Sequence, residues 1–138
     1  DTAMKWITPK TDWDKDSRLN ARDYNRILNN LRVLEALINA VYCTLALEEM
    51  GADKEYSSWY FAREFNVVER NLSAVNQAAF KKNIGEDKTF FDNGPFIDYA
   101  ELNRIEGAAL DFYETGITHQ KTLPRLAIRL GRGKGGIG

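Results

Sequence analysis

The chain has 138 residues, 43% hydrophobic and 28% charged, with a net charge of −1. That is one domain with one core, too short for a catalytic domain beside a regulatory one, and no apolar run approaches the roughly 18 residues of a membrane span. A single cysteine, Cys43, and a single histidine, His119, exclude an internal disulfide and a Cys/His zinc set.

No signal-peptide pattern opens the chain, and residues 1–3, ahead of Met4, are set aside from the fold reasoning. Residues 4–19 hold Trp6, Pro9 and Trp13 without a sustained period. They read as an extended lead-in whose two tryptophans pack on the rest. Asn20 can cap a first helix, with Asp23 three residues on in the manner of a capping box. The apolar pattern then predicts a helix to Gly51, nearly thirty residues and about 45 Å long, in which Cys43 is a small buried hydrophobe. A second helix is predicted from Ser57 or Ser58 to about Lys82, with Asn83 and Gly85 as stop signals. Its first turn carries Trp59, Tyr60, Phe61 and Phe65, too many aromatics for one stripe, so some should face the lead-in or a partner chain. Residues 83–97 read as a loop with two turns around Phe90 and Phe91. Asp98 caps the third helix, Glu101 is its third-position acid, and Gly116 is predicted to close it as the shortest of the three. Beyond it, Leu126, Ile128 and Leu130 alternate with Arg125 and Arg129 as in a short strand, and residues 131–138 read as disordered. The expected fold is all-α: a three-helix bundle over residues 4–116 with a flexible, basic, Gly-rich C-terminal segment, 117–138.

Three segments begin alike: Asp23-Tyr24-Asn25, Glu64-Phe65-Asn66 and Glu101-Leu102-Asn103. Around each Asn, apolar residues fall at −1, +2, +6 and +9: Tyr24, Ile27, Leu31, Leu34, then Phe65, Val68, Leu72, Val75, then Leu102, Ile105, Ala109, Phe112. Steps of three and four place each set on one helical stripe. Asparagine is a poor residue for a helix interior, so the recurrence of Asn25, Asn66 and Asn103, each with its acid Asp23, Glu64 or Glu101, implies a shared structural task. At the fifth helical position a carboxamide can accept from an N–H and donate to a carbonyl of the loop that enters its helix, and so staple that loop.

The stretch Trp6-Ile7-Thr8-Pro9-Lys10-Thr11-Asp12-Trp13, followed by Asn20-Ala21-Arg22-Asp23-Tyr24-Asn25-Arg26-Ile27 and Asn29-Asn30-Leu31, resembles the N-terminal segment of tail-associated structural proteins of phages and prophages of Gram-positive bacteria. In those proteins a T-D-W lead-in precedes a D-[FY]-N-R-I-E-x-N-[IL] helix, and L-N-R-I-E helices recur downstream, as Leu102-Asn103-Arg104-Ile105-Glu106 does here. Leu28 stands where the family more often has Glu, and Val67 where it has Arg. The resemblance covers 6–34 well and 62–76 and 98–110 in part. It implies a virion or tail component in a particle or in the bacterial cytoplasm, with other tail proteins as partners.

No reactive constellation competes with that reading. His119 and Cys43 lie far apart in sequence, no Glu-x-x-His pair offers a di-iron ligand set, and Glu48-Glu49 and Glu86-Asp87 read as solvated helix ends and turns. No enzyme activity, cofactor, metal or membrane partner is expected. Residues 115–138 hold five basic residues and no acid, a segment of +5 on a body of −6. This basic segment, with Arg132 and Lys134 as candidate phosphate contacts, supports a second class of function, nucleic-acid association. The glycines around them lack the strand, the Gly-Lys-Ser/Thr ending and the helix of a phosphate loop. Trp13, Trp59, Tyr60 and Phe96 are the candidate protein contacts, and self-association is left open.

Overall fold

The computed structural model describes residues 5–17, 19–50, 62–85 and 98–134, with side chains to residue 122 in the last segment and from residue 64 in the third. Among these residues the elements are helices α1 (Ala21–Val41), α2 (Ala62–Val75, continued by one π-turn, Asn76–Phe80) and α3 (Tyr99–Lys134). All twelve residues of the three stripes are buried. The space they leave between Ile27, Leu31, Leu72, Ile105 and Ala109, bordered also by Asn30 and Glu106, is only about 10 Å³, room for one water at most.

The three helices run parallel. Near their starts the Tyr24 and Phe65 rings meet edge to face at 5.4 Å, and near their ends Tyr42 meets Phe80 at 5.4 Å and Phe80 stacks on Phe112 at 4.7 Å. Arg26 bonds Glu106, and Tyr42 bonds His119, so α1 and α3 also share a direction. Parallel neighbours cannot be joined by tight turns, and a segment that reaches a helix start from the other end of the bundle has to run back along it. The lead-in does this for α1. Its backbone descends from Trp6, stacked on Tyr113 at 4.1 Å, to Trp13, whose backbone meets Asn103 ten residues earlier on α3.

Both described helix starts are built as the sequence predicts. Asn20 accepts from the Asp23 N–H while Asp23 accepts from the Asn20 N–H, and Asp98 accepts from the Glu101 N–H at 3.0 Å. The ends differ. α1 stops at Val41, not Gly51, because side chains of its last two turns draw the following backbone back. Asn39 takes both the N–H and the C=O of Leu45, and Glu35 accepts from the Leu47 N–H at 2.7 Å. Val41, Tyr42, Cys43 and Thr44 are also weak helix formers. Leu45, Leu47 and Met50 therefore pack on the core from a returning arm, and Cys43 is exposed, not buried. The predicted start of the second helix at Ser57 or Ser58 lies outside the described residues, as do the turns at 86–97. Its end agrees with expectation, with Lys81 in the left-handed region at φ 55.

The largest departure is α3, which runs 36 residues to Lys134. Gly116 does not end it, and the predicted strand over 125–130 is helix. Gly116 serves packing instead: a Cβ there would lie 2.5 Å from Leu37 Cδ2 and 3.3 Å from its Cγ, whereas one on Gly107 would meet nothing within 4 Å. Gly107→Ala should therefore gain about 0.5–1 kcal/mol from helix propensity. Gly116→Ala should lack that gain, and Gly116→Leu should lose about 1–3 kcal/mol by overpacking. Thermal melts of the three variants check this order.

Candidate functional site

Five asparagines among the described residues perform the same act. Each carboxamide oxygen accepts from the N–H, and each carboxamide nitrogen donates to the C=O, of a single residue in a non-helical segment. Asn30 holds Ile7 at 3.0 and 2.7 Å. Asn103 holds Trp13 at 2.9 and 2.9 Å. Asn39 holds Leu45 at 3.0 and 2.8 Å, Asn71 holds Glu48 at 2.9 and 3.1 Å, and Asn76 holds Lys82 at 2.8 and 2.7 Å. The chemistry requires this residue type. An amide presents one acceptor and two donors side by side, matching the adjacent C=O and N–H of one residue, whereas a carboxylate would face the carbonyl with no proton to share. The clamps satisfy backbone groups that otherwise lie against a helix without partners. They read main chain and ignore the side chain held.

Glu106, 2% exposed, is the centre of a second set. Its oxygens accept Arg26 Nε and Nη2 at 2.7 and 2.7 Å, the Trp13 indole N–H at 2.7 Å and the Lys10 N–H at 3.2 Å. Arg26 also reaches Asp23 at 2.9 Å. The bond to Glu106 raises the guanidinium above its already high ordinary value, against burial. In the third repeat, Arg104 pairs with buried Glu69 and with Glu101. The arginine after the shared Asn thus reaches the glutamate of another unit, first to third and third to second. In the remaining slot the sequence has Val67 and Leu28 instead of Arg and Glu. The two departures from the repeat remove both charges of one pair and leave no buried charge alone.

Of the predicted residues, Asn103 staples, but it holds the lead-in of the first helix, not the loop entering its own. Asn25 and Asn66 are half-buried and engaged. Asp23 and Glu101 act through the arginines three residues on, and Glu64 is engaged in α2's first turn. Trp13 is 4% exposed and belongs to the core, which removes it from the candidate partner contacts. Trp59, Tyr60 and Phe96 lie outside the described residues. Arg132 and Lys134 sit on helical backbone at the end of α3, not on a loop. Asn30 and Asn71 were missed, although both stand five residues after the shared Asn; the third copy has Ala108 there. No family model matches the chain, and no curated protein or solved structure matches it either.

Beside the lead-in, a groove of about 730 Å³ opens between Ile7 and Thr8 on one side and Arg22, Asn25 and Asn29 of α1 on the other. Ile7, 46% exposed, is its apolar edge. At the opposite end of the bundle the Tyr42 hydroxyl bonds His119 Nδ1, and Cys43 Sγ lies 3.7 Å from the Ala78 carbonyl. His119 is on a helix, not in the predicted loop. Asp12, Asp14 and Asp16 alternate along the lead-in, but Asp12 bonds Lys10 and Asp14 receives Asp16 N–H and the Ser17 hydroxyl. Among the described residues no three His, Cys, Asp or Glu side chains come together in a group suited to a metal. Glu48, read from sequence as a solvated helix end, pairs with Arg70 on the returning arm, and the guanidinium holds its carboxyl below the usual range.

The Asn103 clamp is directly testable. Asn103→Ala leaves both backbone groups of Trp13 without a partner and should cost about 1–3 kcal/mol. An unchanged denaturation midpoint would reject the clamp as a stabilising contact.

Proposed function

We propose that the protein is a non-enzymatic structural or adaptor component of a phage or prophage tail, holding other tail proteins through its surface. The observation that supports this most is where the tail-protein-like motifs fall. Trp13 of the T-D-W lead-in, Arg26 of D-Y-N-R-I, and Asn103 and Glu106 of L-N-R-I-E are the residues that bind one another to dock the lead-in. The resemblance therefore concerns one co-operating set and not scattered identities. The polar side chains that stand out in the sequence position this chain's own backbone, as expected of a scaffold. No helix among the described residues is long and apolar enough to cross a membrane.

Antibody labelling of purified particles by electron microscopy tests the assignment. Label on tails is the expected result, and particles without label from a lysate rich in the protein would reject it.

A second reading, association with nucleic acid, gains from the helical course of α3. At helical spacing Lys121, Arg125, Arg129 and Arg132 fall on one stripe, a form that can follow a phosphate backbone. Fluorescence anisotropy of a labelled duplex at low salt, compared between the intact chain and Arg125→Glu/Arg129→Glu, decides it: equal anisotropy would remove nucleic acid from consideration.

A further inference from the structure

We propose that the chain is a trimer in a single polypeptide, three like units closed in a ring about a pseudo-threefold axis, and that the residues one and three places after each shared asparagine determine the order in which the helices close. This stands independently of the tail assignment.

The described contacts repeat by rotation. Counted from the shared asparagine of each unit, the residue at +5 holds the residue at −18 of its own unit twice, as Asn30 with Ile7 and as Asn71 with Glu48. The residue at −19 meets the +10 residue of the preceding unit, as Leu47 with Glu35 and, from the first unit to the third, as Trp6 with Tyr113. The arginine at +1 meets the glutamate at +3 of the preceding unit, as Arg104 with Glu69 and, again from the first to the third, as Arg26 with Glu106. Contacts that lead from second to first, from third to second and from first to third describe a closed rotation and not a row. Because the helices are parallel, its axis runs along the bundle.

The apolar stripes do not choose the order of closure. On one helix the +1 and +3 positions stand about 200° apart at 3.6 residues per turn, on opposite flanks of the stripe. In any parallel ring the +1 residue of each helix therefore faces the +3 residue of the neighbour on that side. In the order observed, Arg26 meets Glu106, Arg104 meets Glu69, and Val67 is left to Leu28. In the opposite order Arg26 would meet Glu69, but Val67 would face Glu106 and Arg104 would face Leu28. That order buries a carboxylate and a guanidinium apart from each other, where Glu106 is 2% and Leu28 0% exposed, at a cost that packing does not offset. Three units with both charges would satisfy either order. The loss of one arginine and one glutamate from different units, at Val67 and Leu28, leaves a single order in which no buried charge is alone.

Urea unfolding of full-length variants that change the same residue types tests this. Arg26→Val/Glu106→Leu removes a facing pair, whereas Arg104→Val/Glu106→Leu takes both charges from one unit and sets Arg26 and Glu69 opposite apolar side chains. The first should unfold cooperatively at a midpoint higher by about 1 M urea or more. Should neither fold, the uncharged slot decides: Leu28→Glu alone should lose the cooperative transition, and Leu28→Glu/Val67→Arg should regain it by forming the third pair. Equal midpoints in the first comparison, or a Leu28→Glu/Val67→Arg chain no more stable than Leu28→Glu alone, would overturn the proposal.

Discussion

Ile105→Asp is expected to abolish cooperative unfolding. Ile105 is 1% exposed and borders, with Ile27, Leu31 and Leu72, a space of only about 10 Å³. An aspartate there would lie among Ile27, Leu31, Leu72 and Ala109 with space for one water at most. Its charged form would cost far more than the roughly 5–15 kcal/mol by which a domain of this kind is stable, and its neutral form would still bury a polar group in apolar surroundings. Ile27→Asp, 3% exposed, should act alike. Far-UV circular dichroism through a thermal ramp reads both. A sigmoidal melt near the wild-type midpoint would remove that residue from the core.

Glu106→Ala should be the next most damaging change, at about 3–5 kcal/mol. It removes the acceptor of four donors at once and leaves the Arg26 guanidinium without its principal counter-ion and the Trp13 indole without its bond. The repeat itself suggests the remedy, because its third slot has Val67 and Leu28 where the other two have Arg and Glu. The double variant Arg26→Val/Glu106→Leu should therefore be more stable than Glu106→Ala alone, since no guanidinium is left without its counter-ion, although the Trp13 indole and the Lys10 N–H still lose their acceptor. Indole fluorescence during urea unfolding follows both effects, because the lead-in carries two tryptophans. Additive losses in the double variant would mean that the two residues are not coupled as the geometry requires.

Much of this was legible in the sequence, for reasons particular to each element. The three stripes were visible because a buried helical face imposes steps of three and four wherever it occurs, and the starts of α1 and α3 because a capping residue must stand at a fixed distance from its acid. The ends of α1 and α3 were not. Gly116 carries the usual stop signal, yet a glycine within a helix can serve close packing equally well, and only Leu37, 79 positions earlier, distinguishes the two. The return of the chain after Val41 depends on Asn39 and Glu35 capturing residues six and twelve positions on, contacts that no local pattern signals. Nor could parallel packing be read from the stripes, which are the same in either direction. The shared asparagine was recognised as a structural residue, but its partner lies 90 residues away, and a motif does not name a distant partner. Two signals were present and unused: the second asparagine at +5 in the first two copies, and the complementary loss of Arg and Glu at Val67 and Leu28.

The account rests on helix carboxamides holding extended backbone, and amide hydrogen exchange at single-residue resolution measures that most directly. Ile7, Trp13, Leu45, Glu48 and Lys82 belong to no helix, yet each donates its N–H to an asparagine. Their amides should exchange far more slowly than those of neighbouring non-helical residues, with Trp13 alone losing protection in Asn103→Ala. Exchange of all five at the rate of an unstructured chain would contradict the account.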